Sequence, residues 1–250
     1  MPKQTGIIKI TGTIDGLIFY KLGDEYYVRK KGILSKERIA NDPVFQRSRE
    51  NSSEFCRAAK AGKLFRNAFA DMVKYSSDYA LTARVAKVMT QLKDMDLISQ
   101  RGHRQVSHGI QSVEGKALLK DFNFNVDAKL DSVILKKYAF DATSGQLDME
   151  GLVTKNDVNI AIGATHVCFR SAWTRIDFEQ GVFNTVYSEP KYCPIQDGKQ
   201  HLGLGFDNIP SLASGEQIFV LQVLFYQEVN GIRYFLKNAN FNCMKVIAIV

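Results

Sequence analysis

Few residues in this 250-residue chain have types and spacings that suit catalysis. The best nucleophilic pair is His166 with Cys168 in "THVCFRSAW", two positions apart and so on one face of a strand, while Ser171 falls on the other face. No Gly-x-Ser-x-Gly elbow accompanies them, so the expected role is a buried pair and no enzyme is expected. His103 and His108 sit beside Arg101 and Arg104, whose charge opposes a protonated ring, and His201 stands in a separate segment. Cys56, Cys168, Cys193 and Cys243 are far apart and form no Cys-x-x-Cys clamp, so no metal is expected and the thiols read as buried and reduced. "HLGLGFDNIP" carries Gly203 and Gly205 but no third glycine in register and no strand-turn-helix setting, so no phosphate loop and no cofactor are expected.

Charge is the more informative chemistry. The stretch "FQRSRENSSEFCRAAKAGKLFRNAF", residues 45–69, sets Arg47, Arg49, Arg57, Lys60, Lys63 and Arg66 against only Glu50 and Glu54. Pairing at helical offsets stabilises a helix by only about 0.2–0.5 kcal/mol per pair, so stability does not require this excess. A phosphate backbone would use it through counterion release, and these six residues with Arg29, Lys30 and Lys31 of "YYVRKKG" form the candidate nucleic-acid or anion site. Two readings compete with that one. A charged helix face is commonly just solvated, and basic residues at a strand end also defend an edge against aggregation. No aromatic is interleaved on the basic helix face to stack on bases. The net charge of +7 is uneven: residues 1–110 hold 20 Lys and Arg against 11 Asp and Glu, and residues 111–250 hold 13 against 15. A basic front portion points to an anionic partner.

The elements that would carry these residues fall into three regions. Residues 6–31 alternate apolar and polar positions and are broken by Gly12, Asp15-Gly16 and Gly23-Asp24, which predicts a small antiparallel meander. From residue 42 the period changes. Asn41 or Asp42 caps, Pro43 takes the first helical position, and Phe55, Ala58, Ala59, Gly62, Phe65, Phe69, Met72 and Val73 recur as an apolar stripe. Asp78 is expected to cap a second helix carrying Leu81, Val85, Val88, Leu92 and Met95, which completes a helical hairpin. Residues 99–115 are polar and glycine-bearing and read as a linker. Beyond them come short β-branched and aromatic runs, among them the Asn230-Gly231 hairpin of "FYQEVNGIRYFL" and the single Trp173, which is expected to face inward. The expected class is α+β: a basic β-meander and helical-hairpin region over residues 1–110, then an antiparallel β-sandwich of jelly-roll or immunoglobulin-like kind over residues 111–250. With 45% hydrophobic and 24% charged residues the chain can bury a core. No apolar run is long enough to span a bilayer and "MPKQTGIIKITG" lacks the apolar centre of a signal peptide, so a cytoplasmic location is expected.

"KQTGIIKITGTIDGLIFYKLGDEYYVRKKG", "SKERIANDPVFQRSRENSSEFCRAAKAGKLFRNAF" and "LFYQEVNGIRYFLKNANFN" together resemble a family of bacterial proteins of similar length and unknown function. Gly6, Gly12, Gly16, Tyr20, Arg29, Pro43, Arg47, Arg49, Glu50, Phe55, Gly62 and Lys63 carry the resemblance, which implies no activity, ligand or catalytic residue. On the residues alone, the leading expectation is a non-enzymatic structural protein that assembles with copies of itself, as a shell, tube or filament subunit of phage-like kind. The alternative is a sequence-nonspecific nucleic-acid-binding protein, and a ligand-binding module is a third class.

Overall fold

Two turns with positive backbone φ shape the start of the chain: Asp15 (46°) with Gly16 (76°), and Gly23 (62°). In the computed structural model, which describes residues 2–32 and 35–250, they join β1 (Gly12–Ile14), β2 (Leu17–Leu22) and β3 (Glu25–Lys30) into the expected antiparallel meander. Tyr20 and Tyr27 lie opposite each other across β2 and β3 with stacked rings 5.9 Å apart, and the Arg29 guanidinium sits 5.6 Å over the Tyr20 ring. Lys3 bridges to Tyr27 on the outer side of β3. A short helix α1 (Lys36–Asn41) follows, with Ser35 Oγ accepting from Arg38 N at 3.1 Å as its cap. Asp42 caps as expected, but it caps a single 3-10 turn (Pro43–Phe45) through Val44 N at 3.0 Å, and the long helix α2 (Gln46–Ala68) begins after that turn.

The chain divides into two compact units, residues 1–49 and Glu50–Val250. This division differs from the one expected after residue 110, and the reason is packing. Phe65, Phe69 and Met72, then Leu81, Val85, Met89 and Leu92, bury themselves in one core with Ala172, Ile176, Ile218, Val220, Met244 and Val246 of the sheet, so helices and sheet form one body. Phe65, Phe69, Phe122 and Phe124 make its aromatic centre, with ring centroids 5.3–6.1 Å apart.

The helical region departs from its expected course in three places. Phe55 (56% exposed) and Ala59 lie on the solvent side of α2, because Ala58, Ala61, Gly62 and Phe65 form the buried line. At Phe69 the helix breaks into α3 (Ala70–Ser76), and the Thr185 hydroxyl donates to the freed Ala68 carbonyl at 2.8 Å. Asp78 does not cap α4 (Leu81–Asp94); its carboxylate pairs with Arg84 and accepts from Val126 N at 3.0 Å. The stretch expected as a linker is instead packed in. It holds the short helices α5 (Val106–Gly109) and α6 (Val113–Leu119), with Gly102, Val106, Ser107, Gly109 and Ile110 buried.

The remaining elements are α7 (Leu130–Val133), β4 (Ala139–Phe140), β5 (Leu147–Leu152), α8 (Thr154–Asp157), β6 (His166–Asp177), β7 (Val182–Tyr187), β8 (Lys191–Pro194), β9 (Gln200–Leu204), β10 (Glu216–Val229), β11 (Ile232–Phe235) and β12 (Cys243–Ile249). Long antiparallel pairing of β6 with β10, from Glu216 opposite Ile176 to Tyr226 opposite His166, forms the axis of a curled six-stranded sheet. Two shorter strands fill each flank, β7 and β8 on β6, and β11 and β12 on β10. The Asn230-Gly231 turn closes the β10–β11 hairpin with φ of 53° and 78°, the geometry that the dipeptide favours. Side-chain alternation gives the sheet two buried faces. One meets the helices, and from the other Phe169, Trp173, Phe219, Leu221 and Phe225 pack on Leu147, Met149, Leu202 and Leu204 of a second, three-stranded sheet, β4–β5–β9. The fold is therefore mixed α+β with antiparallel sheets. Among the described residues no helix is long and apolar enough to cross a membrane.

Candidate functional site

On α2, steps of three and four residues set Arg57, Lys60, Ala61 and Leu64 on one face of the helix. This face forms a wall of a cleft of about 390 Å³ within the second unit, faced by Gln105, Val106, Phe178, Glu179 and Gly181, with Lys63 at its side. Leu64, Val106 and Phe178 supply an apolar lining, and among the described residues Glu179 is the only carboxylate that lines it. A smaller hollow of about 210 Å³ shares Phe178 and Glu179 with the cleft and is lined also by Ser107, whose buried hydroxyl has no hydrogen-bond partner among the described residues.

The acids that accompany these cations in sequence are turned elsewhere. The Glu54 carboxylate is buried and accepts from Lys93 Nζ at 2.8 Å and Gly102 N at 2.7 Å. Burial pushes its pKa up, but the hydrogen bond from Lys93 and the Gly102 amide outweigh that and hold it below the usual carboxylate range. Glu50 pairs with Arg101 at 3.3 Å. The Arg57 guanidinium is fixed by the carbonyls of Gly102 and Arg104, the latter at 3.2 Å, and by Ser53 Oγ at 2.9 Å. Carbonyls orient a guanidinium without cancelling its charge, so Arg57 reaches the cleft as a rigid cation. Lys60 and Lys63 are exposed and make no ion pair among the described residues.

Two buried aspartates hold the loops that complete the cleft. Asp96 accepts from Ile98 N, Ser99 N and Gln105 N, each at 2.9 Å, and lies 3.3 Å from His108 Nδ1. Burial raises its pKa, yet the donors of Ser99, Gln105 and Ile98 prevail and leave it far below the ordinary carboxylate value. Asp177 accepts from Gln180 N and Glu179 N at 2.9 Å and from Ser214 Oγ at 2.6 Å, which sets the β6–β7 turn. The Gln180 amide, followed by Ser214, lowers its pKa against the effect of burial. Neither aspartate was expected from the sequence, although "DLIS" and "DFEQG" carry the Asp-initiated turn chemistry that both use.

Of the nine expected anion-site residues, Arg57, Lys60 and Lys63 meet at this cleft. Arg66 is half-buried in the last turn of α2 and does not line it. Arg29, Lys30, Lys31, Arg47 and Arg49 belong to the first unit. There Arg49 donates to the carbonyls of Ile39 (2.8 Å) and Asp42 (2.9 Å), Arg29 lies over Tyr20, and Lys30, Lys31 and Arg47 are exposed.

The expected His166 and Cys168 pair is not set up for nucleophilic chemistry. Burial pushes the Cys168 thiol up to about 12, so thiolate is scarce at neutral pH. His166 instead bonds Thr165 Oγ1 through Nδ1 at 3.0 Å and faces Glu228 at 3.6 Å. Ser171 is buried in the sheet, where its amide donates to Ser188 Oγ at 2.9 Å. Around the outer end of this strand runs a feature that single-residue reading missed. Tyr192, Tyr226, Phe235 and Tyr75 contact in succession at 5.2–5.7 Å, with Arg233 4.9 Å over Tyr192 and Lys74 5.0 Å over Tyr75. Comparison with protein-family models, with curated proteins and with solved structures finds no match to this chain.

Proposed function

We propose that this protein is a non-enzymatic structural subunit that assembles with copies of itself, with its first unit as the joining arm. The observation that carries this reading is one of burial. Among the described residues up to 49 none is buried, and Ile7, Ile8, Ile10, Ile14, Leu17 and Leu22 lie exposed. A three-stranded meander without a covered apolar face is marginal alone. The outer edge of β1 has no strand beside it among the described residues, and a second copy satisfies such an edge by strand addition while covering the isoleucines. The face-to-face arrangement of β4–β5–β9 and the six-stranded sheet supports a sandwich of jelly-roll or immunoglobulin-like architecture, a form that shells and tubes of phage-like kind use, although fold alone does not decide function.

Light scattering of the full chain tests the reading. The expected mass is a multiple of 28.2 kDa that rises with concentration, and Ile8→Glu with Ile14→Glu is expected to return it to a single chain. A single-chain mass for the parent at high concentration and low salt overturns it.

The second reading is sequence-nonspecific nucleic-acid binding. It is favoured by the exposed cations Lys30, Lys31 and Arg47 and by the aromatic series from Tyr192 to Tyr75, since bases stack on such rings regardless of sequence. It requires an affinity for DNA that falls steeply with salt, by a log–log slope of about −0.9 per phosphate on duplex. A flat salt response removes it.

A further inference from the structure

We infer that the cleft along α2 binds a small organic anion, an acidic head joined to an apolar or aromatic body. Its two halves differ in chemistry. Arg57, Lys60 and Lys63 stand on one side against a single carboxylate, Glu179, while Leu64, Val106 and Phe178 present an apolar surface beside them. A phosphodiester track needs neither the apolar lining nor the enclosure. A free inorganic anion uses the cations and leaves the lining wet. An aryl or alkyl phosphate or carboxylate satisfies both, and a cleft of about 390 Å³ lies within the 300–1,000 Å³ typical of small-ligand sites.

The site is built in advance. Arg57 is locked by two backbone carbonyls, and Asp96 and Asp177 pin the two loops that face it. A second observation points to a ligand. Ser107, a residue 8% exposed, belongs to the wall of the adjoining hollow, and its hydroxyl has no hydrogen-bond partner among the described residues. Arg57 and Lys60 sit on the cleft-facing side of α2 beside Leu64, with Lys63 at its flank, and the rest of the apolar wall, Val106 and Phe178, comes from other elements. Lys60 and Lys63 thus act as the mobile part of an otherwise rigid receptor.

Calorimetric titration of the full chain with 1-naphthyl phosphate, 1-naphthol and inorganic phosphate separates head from body. One site per chain is expected for 1-naphthyl phosphate, with each of the other two at least about tenfold weaker. Lys60→Gln with Lys63→Gln is expected to weaken 1-naphthyl phosphate by about tenfold or more. Asn67→Trp fills the cleft from an exposed position and is expected to abolish binding. Lys87→Gln, on an exposed turn of α4, leaves it unchanged. Equal affinity for 1-naphthol and 1-naphthyl phosphate, or indifference to the double lysine change, overturns the inference. So does an oligothymidylate that occupies Lys60 and Lys63 with a steep salt slope while 1-naphthyl phosphate fails to bind, because the cations then serve a nucleic-acid strand. The inference concerns the second unit alone, so its failure in calorimetry is separate from the failure of self-assembly in light scattering.

Discussion

At the scale of single residues, the side chains that matter most to the cleft are two carboxylates rather than the cations. Asp96 satisfies three backbone amides in a loop where water does not reach its carboxylate. Asp96→Ala leaves those donors unpaired and is expected to cost about 3–5 kcal/mol in urea unfolding, as for other buried charged networks that lose one partner. The pH dependence has a definite sign. Asp96 and Glu54 both have depressed folded pKa values, so their contribution is fully present above the ordinary carboxylate range and is lost as pH falls from about 4 through the folded values. Stability measured by urea midpoint is therefore expected to drop across that acid window, and to drop less in Asp96→Asn. A parent protein whose midpoint is flat from pH 5 to about pH 2 contradicts this. The convergence of Gln105 and His108 on the Asp96 carboxylate was not legible in the sequence, because those contacts close a loop whose path depends on α4 and α5.

At the scale of elements, glycine spacing separates two kinds of close approach. A Cβ on Gly109 would lie 1.8 Å from the Leu92 carbonyl oxygen at the end of α4, and backbone cannot yield there. Gly109→Ala is expected to destabilise by about 3 kcal/mol or to leave α5 undocked, as seen in the thermal midpoint. A Cβ on Gly62 would meet Val85 Cγ1 at 3.2 Å, a side-chain contact that can give by a few tenths of an ångström. Alanine also gains about 1 kcal/mol of helix propensity there, so Gly62→Ala is expected to stay within about 1 kcal/mol of the parent. Helix α2 was readable as a helix from its three- and four-residue period, but the Asp42-Pro43 signal marked a 3-10 turn before it, and Phe55 and Ala59 of the expected stripe face solvent. Its break at Phe69 was not readable, because the Thr185 hydroxyl that receives the end of the helix lies more than 100 residues away in sequence. The Asn230-Gly231 hairpin was legible because the dipeptide sets its own backbone angles.

At the scale of the molecule, the two units differ in kind. The second has two cores on either side of one sheet, while the first has no buried residue among those described. In the dissociated Ile8→Glu, Ile14→Glu protein, limited trypsin digestion is expected to cut first at Arg29, Lys30 or Lys31, which are exposed, and to spare the body from Glu50 onward. The assembled parent is expected to resist cleavage at those positions. Equal cleavage of parent and variant would falsify the joining role of the arm.

Local chemistry in the sequence determined much of the local structure: the Asp15-Gly16 and Asn230-Gly231 turns, the cap at Asp42, the helical period that follows it, and the uneven placement of charge. These are short-range properties, written within a few residues of where they act. Only the tertiary structure decided which elements share a core and which cations share a cleft. The helices share a core with the sheet, where the helix-facing side chains of β6, β10 and β12 are covered. Arg57, Lys60 and Lys63 became one site because loops pinned by Asp96 and Asp177 face this side of α2, a long-range arrangement set by burial and hydrogen bonding between segments distant in the chain.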